Sequence, residues 1–336
     1  MSHRAKNPRA ASPSRVRPIP LLSVTRLAGR GASHGSSLAL SRHPGRLPAV
    51  AGTTTGILVG CTIVATRFVV YQTTPVTLAF LRYLVGCCCL LPLLLRAPRP
   101  RFERRDLVPI CALGITQFGV LVVLLNQALR YIPSARAALI FATMPLLTML
   151  LASALKLEAL TPAKTLGVLL AIVAVGIALG DQALRSGGGT DTWIGDLAAF
   201  GSALSGAVCS VFYRPYLRKY PTLSISATAM LASVCFLAIL AGTEGLFATP
   251  PRFTLAGWLV VLFIGVSSGL GYALWLWALA HATPTRVTLF IALSPVTAAA
   301  AGAILLGEPV APSTGLGLLG VVLGLWLAHA RSAGDP

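Results

Sequence analysis

Eight side chains able to engage a ligand lie inside apolar runs of membrane-spanning length: Thr62, Arg82, Gln117, Ser205, Ser268, Tyr272, Trp275 and Ser294. Hydroxyls and an amide can satisfy the polar atoms of a small molecule, while the two aromatic rings cover its apolar or cationic part. Each serine also has a structural use, bonding back to its own helix, and Gly265 and Gly269 would let helices approach closely. Arg82 carries the charge. A cation at the centre of a spanning helix costs about 2.5 to 3.5 kcal/mol on insertion scales. It therefore either lines an outer cavity and attracts an anionic group, or holds its helix in the bundle. Arg67 lies closer to the surface and can reach it by snorkelling.

Covalent chemistry finds no foothold. The histidines are His3, His34, His43, His281 and His329, which no single membrane depth could gather into a triad or a zinc site. The seven cysteines all fall in apolar segments, where thiols behave as small hydrophobes; Cys87, Cys88 and Cys89 would point about 100° apart on a helix. No metal or other cofactor and no enzyme activity are expected. Carboxylates are missing from mid-depth: Glu158 and Glu308 stand at helix ends just before Pro162 and Pro312. There they suit the following helix N-termini, with gating or proton coupling as the sharper alternative.

The chain is internally duplicated. Arg136, Pro145, Glu158, Pro162 and Gly167 recur 150 residues later as Arg286, Pro295, Glu308, Pro312 and Gly317. Pro145 and Pro295 sit near the middle of their runs and have no N–H for the carbonyl four residues back, that of Phe141 or Ile291. Unsatisfied carbonyls at that depth must face protein, water or substrate. The two prolines are thus either kinks repaired by neighbouring helices or a helix-break hinge pair at a central site, a recurring device in transporters built from repeats.

The elements that carry these residues are helices. The 336 residues are 55% hydrophobic and 11% charged, with a mean hydropathy of +0.80. Ten apolar segments can be drawn, at about 50–71, 76–95, 107–129, 133–155, 163–181, 193–213, 224–243, 255–279, 285–306 and 313–329. Each approaches the roughly 20 residues that cross hydrocarbon, and none alternates as a barrel strand would. With the N-terminus cytoplasmic, 21 of the 27 Lys and Arg fall inside and four outside, so the net charge of +18 writes topology and not nucleic-acid binding. Both termini are then cytoplasmic. Five helices per half invert the second copy, giving an all-α membrane protein of ten transmembrane helices in two inverted five-helix repeats.

Residues 47–181 and 193–330 are the two repeats, 182–192 the linker and 331–336 a C-terminal tail. Residues 1–46 are basic, lack Asp and Glu, and are expected to be disordered. They read as a cytoplasmic tail, an over-long gene start or a transit peptide. The excess of Arg over Lys, 23 to 4, points to a GC-rich bacterium and its inner membrane.

The pattern resembles the EamA-type members of the drug/metabolite transporter superfamily over roughly residues 50 to 330. In the first half the likeness is carried by Phe80-Leu81-Arg82, Ala128-Leu129-Arg130-Tyr131 and the Ala137-to-Pro145 run. In the second it is carried by Gly195-Asp196-Leu197, Tyr272-Ala273-Leu274-Trp275, Ser294-Pro295-Val296 and Leu306-Gly307-Glu308-Pro309. Lys156-Leu157-Glu158 departs from the family's usual Leu-Gly-Glu, and Gly60-Cys61 from its Trp-Gly. The resemblance implies export or exchange of small metabolites, amino acids or drugs by alternating access. The expected partners are a small-molecule substrate, the lipid bilayer and, through the glycines of the tenth segment, either the bundle or a second copy in a homodimer. A non-transporting scaffold or receptor and a lipid flippase-like member are the alternatives.

Overall fold

The computed structural model describes residues 46–96, 102–157, 161–162, 165–170, 173–174, 176–177, 191–248, 250–282, 287, 290–308 and 312–330. All regular structure among them is helical. The helices are α1 (Arg46–Val69), α2 (Pro75–Arg96), α3 (Arg104–Tyr131), α4 (Ser134–Ala154), α5 (Thr192–Lys219), α6 (Thr222–Thr243), α7 (Leu255–His281), α8 (Ser294–Leu306) and α9 (Pro312–Ala330). The first seven contain stretches long and apolar enough to cross a membrane, and the last two add shorter apolar helices. The fifth apolar segment is helical where it is described. With that segment only partly described and the last two helices falling short, seven spans, not ten, are countable among the described residues. The N-terminal tail, most of the linker, Glu158 and Arg286 lie outside them.

Local sequence sets the helix ends. Thr74 accepts the N–H of Thr77 at 3.1 Å ahead of Pro75, so a capping hydroxyl and a proline in the first turn start α2 together. Thr254 starts α7 in the same way, accepting from Gly257 at 3.0 Å. Gly307 closes α8 in the left-handed region, φ +63°, where a residue without Cβ carries no steric penalty.

Eight helices close into a ring in which the two halves alternate: α1, α7, α2, α6, α3, α5, α4, α8 and back to α1. Within the ring, each of α1 to α4 thus packs mainly between two helices of the second half. Leu204, Leu262, Phe263, Leu270 and Ile304 remain exposed on this bundle, an outer surface suited to acyl chains and not to water. Gly320 of α9 lies against Ala174 of the fifth segment, pairing the last elements of the two halves.

Both central prolines follow breaks. In α4 the helix stops at Phe141, and Ala142 and Thr143 form a turn before the chain resumes at Met144 with Pro145 in the first turn. The matching place in the second half is a 3-10 turn, Phe290–Leu293, followed by Ser294 and Pro295. A helix of the opposite half presses on each break. Gly56 of α1 lies so close to the Phe290 carbonyl that a Cβ would overlap it, and Gly206 of α5, 150 residues on, lies against Met144. Gly52, Gly56 and Gly60 form one four-residue-spaced seam along α1 that meets Phe290, Leu293, Ser294 and Thr297.

Candidate functional site

Inside the ring, at the level of the α4 break, lies a cavity of about 90 Å³. It is lined from α1 by Thr55, Thr62 and neighbours, from α2 by Arg82 and Tyr83, from α3 by Gln117, Phe118 and neighbours, from α4 by Phe141 and Met144, and from α7 by Ser267, Ser268, Gly271, Tyr272 and Trp275. Six of the eight residues singled out in the sequence meet here: Thr62, Arg82, Gln117, Ser268, Tyr272 and Trp275.

Ser205 and Ser294 stand elsewhere. The Ser205 hydroxyl donates to Gly201 O of its own helix at 2.9 Å. Ser294 is fully buried at the seam where Gly60 of α1 crosses the second break. Pro145 and Pro295 do not line the cavity either; Pro145 places Phe141 and Met144 there by ending one helix and starting the next.

The α3 wall has a cause that hydrophobic patterning does not reveal. Residues Ile115–Val120 form a π-helical stretch in which Leu121 N–H bonds Thr116 O, five residues back. The wider turn carries both Gln117 and Phe118 on the cavity side. Its counterpart around Ser267 in α7 stays α-helical, so the halves differ at the site although Gln117 and Ser267 occupy equivalent positions.

An aromatic wall fills much of the cavity boundary. Tyr83 meets Phe118 edge-on with centroids 4.7 Å apart, Phe118 meets Tyr272 edge-on at 4.2 Å, and Tyr272 stacks on Trp275 at 5.5 Å. Several polar atoms in it are left over: Gln117 Oε1, Tyr272 OH and Trp275 Nε1 have no hydrogen-bond partner. Tyr213, whose hydroxyl is likewise unpaired, meets Tyr272 edge-on with centroids 6.4 Å apart. Buried polar groups are nearly always paired, and the unpaired atoms of Gln117, Tyr272 and Trp275 belong to residues that line the cavity. Arg82 donates Nε to Ser268 Oγ at 2.6 Å and lies 5.5 Å from the Tyr83 ring centroid. Ser268 in turn donates to Ile264 O, and Thr62 donates to Val59 O at 2.9 Å.

Polar networks close both ends of the bundle. At the end bearing the α1–α2 turn, Glu308 pairs with Arg67 at 3.6 Å and accepts from the Ser134 hydroxyl, while Arg67 also donates to Leu129 O and Tyr71 OH. Arg136 grips Asp196 with two hydrogen bonds of 2.9 and 2.7 Å, tying α4 to α5. A polar recess beside them is lined by Gln72, Thr77, Arg130 and Glu244. At the opposite end Lys219 reaches Glu103 and Asp106, each at 2.6 Å, and Tyr220 donates to Asp106 at 2.7 Å. Lys219, and after it Arg105, holds the exposed Glu103 carboxyl below its ordinary value. Among the described residues no cluster of His, Cys, Asp or Glu could hold a metal ion.

Comparison with known proteins adds relatives to this geometry. Residues 47–180 and 193–329 each match the EamA-like transporter family. The chain is 25% identical over 270 residues to an uncharacterized transporter of Archaeoglobus fulgidus, covering 80% of this chain and 93% of that protein. It is 31% identical over 250 residues to a probable terminal-alkyne amino-acid exporter of Streptantibioticus cattleyicolor, covering 72% of this chain and 78% of the exporter. A solved structure described only as the crystal structure of a protein shares the fold, with a TM-score of 0.66 and 23% identity over 86% of this chain and 99% of its own.

Proposed function

The chain belongs to the EamA-like transporter family and is a multi-pass membrane protein, and we propose that it is a secondary transporter moving a small metabolite through the central cavity by alternating access. The observation that carries this reading is that Gln117, Tyr272 and Trp275, each with an unpaired buried polar atom, line a cavity whose walls come from both halves. About 90 Å³ holds only a few waters, at roughly 30 Å³ each, so a metabolite enters when the walls part. The two helix breaks beside Pro145 and Pro295 are the hinges, and the networks at Glu308 and at Lys219 are the two closures, of which one opens at a time.

In this reading the protein has ten helices in inverted repeats, lies in the bacterial inner membrane with both termini cytoplasmic, and works as an exporter or exchanger. The positive-inside count supports the orientation, and the Streptantibioticus relative, a probable amino-acid exporter, supports the direction. The α9 glycines serve packing within the bundle or against a second copy. Glu308 gates the α1–α2 end, with Glu158 as its equivalent at the other.

The test is metabolite profiling of cells with and without the gene, followed by flux of the leading compound in proteoliposomes under an imposed pH gradient. Saturable flux supports transport, and its dependence on the gradient reports coupling. A scaffold or receptor would leave empty and loaded liposomes alike.

A further inference from the structure

The arginines of this bundle are not treated alike. At the α1–α2 end Arg67 meets Glu308 and Arg136 meets Asp196, while Arg130 donates to the Thr73 carbonyl at 2.9 Å. Arg82, set deeper and half-buried, has only a serine hydroxyl and the Tyr83 ring, and no carboxylate within ion-pairing distance among the described residues. The hydrogen bond to Ser268 uses Nε and leaves both terminal guanidinium nitrogens for another partner. The cavity they border contains no Asp or Glu in its lining. It therefore carries a fixed positive charge, in a low-dielectric place where leaving it uncompensated is expensive. The remaining unpaired groups add a donor, Trp275 Nε1, an acceptor, Gln117 Oε1, and the Tyr272 hydroxyl, which can serve as either.

Accepting that the cavity is a transport site, we propose that it selects substrates through a carboxylate docked on Arg82, with a short apolar body against Phe118, Tyr272 and Trp275. Guanidinium and carboxylate match as a planar, two-pronged pair, and the carboxylate supplies the counter-charge that the cavity lacks. Gln117 Oε1 and the ring faces accommodate an ammonium group without demanding one, so α-amino acids and simple carboxylic acids both fit. Amines that have no carboxylate do not, because they would bring a second cation beside Arg82 with nothing to neutralise either.

A matched series tests this. L-Norvaline, pentanoate and butylamine differ by the presence of the amino group, the carboxylate or both, and the same comparison extends to longer and shorter chains. The readout is the thermal unfolding midpoint of the purified full-length protein in detergent, titrated with each compound. Norvaline and pentanoate, or the acids of another chain length, raise the midpoint of the wild type, while the corresponding amine does not. Arg82→Gln weakens apparent affinity for the acids about tenfold or more, as loss of a charge-assisted hydrogen bond implies. Arg82→Lys retains part of it. Should Arg82→Gln fail to fold, Ser268→Ala keeps the charge but frees its orientation, and it preserves the preference for acid over amine at reduced affinity. An amine that stabilises as well as its acid, a panel in which no acid stabilises, or full acid binding in Arg82→Gln overturns the proposal. Counterflow of the same compounds in proteoliposomes separates it from the transport reading. Arg82-dependent binding without flux removes transport and leaves the carboxylate site, whereas flux of amines but not acids removes the carboxylate site and leaves transport.

Discussion

Arg82 of α2 donates its Nε proton to Ser268 of α7 across the boundary between the two halves, at 2.6 Å. Near this bond the helices come as close as backbones allow: a Cβ on Gly265 would press into Val85, and one on Gly269 would stand 3.0 Å from the Gly86 carbonyl. Two helices keyed together in this way move as one body, because sliding them would drive backbone against backbone. In the proposed transport cycle Arg82 would therefore stay beside the cavity.

Trp275 closes the aromatic wall through its stack on Tyr272, and its indole N–H is one of the unpaired donors. Trp275→Ala should lower flux about tenfold or more, equivalent to at least about 1.4 kcal/mol of lost interaction. Membrane insertion, read by a C-terminal reporter, should be unchanged. Flux at the wild-type level would move the site away from this wall.

Gly56 packs against the Phe290 carbonyl, and backbone cannot step aside as a side chain can. Gly56→Val should destabilise the purified protein by about 1 to 3 kcal/mol, the usual range for overpacking. Substituting Gly176, whose surroundings are open, should leave the unfolding midpoint in place.

Glu308 joins Arg67 of α1, Ser134 of α4 and the end of α8. Glu308→Gln removes the ion pair but keeps a hydrogen-bonding group. The bundle should then favour opening at the α1–α2 end, seen as faster maleimide labelling of a cysteine placed at Thr62 from that side. Unchanged labelling would make Glu308 a helix-end residue and nothing more.

The opposite end should respond to acid. The folded carboxyl of Glu103 lies below its unfolded value, about 4.3, so its contribution to stability is present above that value and is lost as pH falls through the lower folded one. Glu103→Gln should flatten the acid limb of an unfolding-midpoint-versus-pH curve, by a small amount because the group is exposed. An unaltered limb would assign the acid response to Asp106, whose carboxyl Lys219 and then Tyr220 hold below its ordinary value.

Much of this arrangement was legible in the residues, and the gaps have physical reasons. Proline cannot donate its missing N–H anywhere, so Pro145 and Pro295 announced where helices would break. The chain places a turn at Ala142–Thr143 and a 3-10 turn at Phe290–Leu293. Tyr272 and Trp275 shared a helix face by their spacing of three. Ser205 and Ser294 could not be told from Ser268 by type, because depth alone does not say which way a helix is turned. The π stretch that brings Gln117 and Phe118 inward is absent from any periodic pattern, since it arises where α6 presses Ala229 onto Gly114. The Gly52–Gly56–Gly60 seam and its partner, the break of the other half, appear only when the chain folds. The charge of Arg82 marked α2 either for the cavity or for the bundle, and the alternating ring is what brings that helix to the cavity wall.

Two-sided access to one position tests the central claim most directly. Ser268→Cys, in a chain whose seven native cysteines are replaced, would be treated with an impermeant maleimide in right-side-out and in inside-out vesicles. Labelling from both sides, slowed in each case by the transported compound, is the predicted result. Labelling from neither side, or from one side under every condition, would contradict a cavity that opens alternately to the two faces of the membrane.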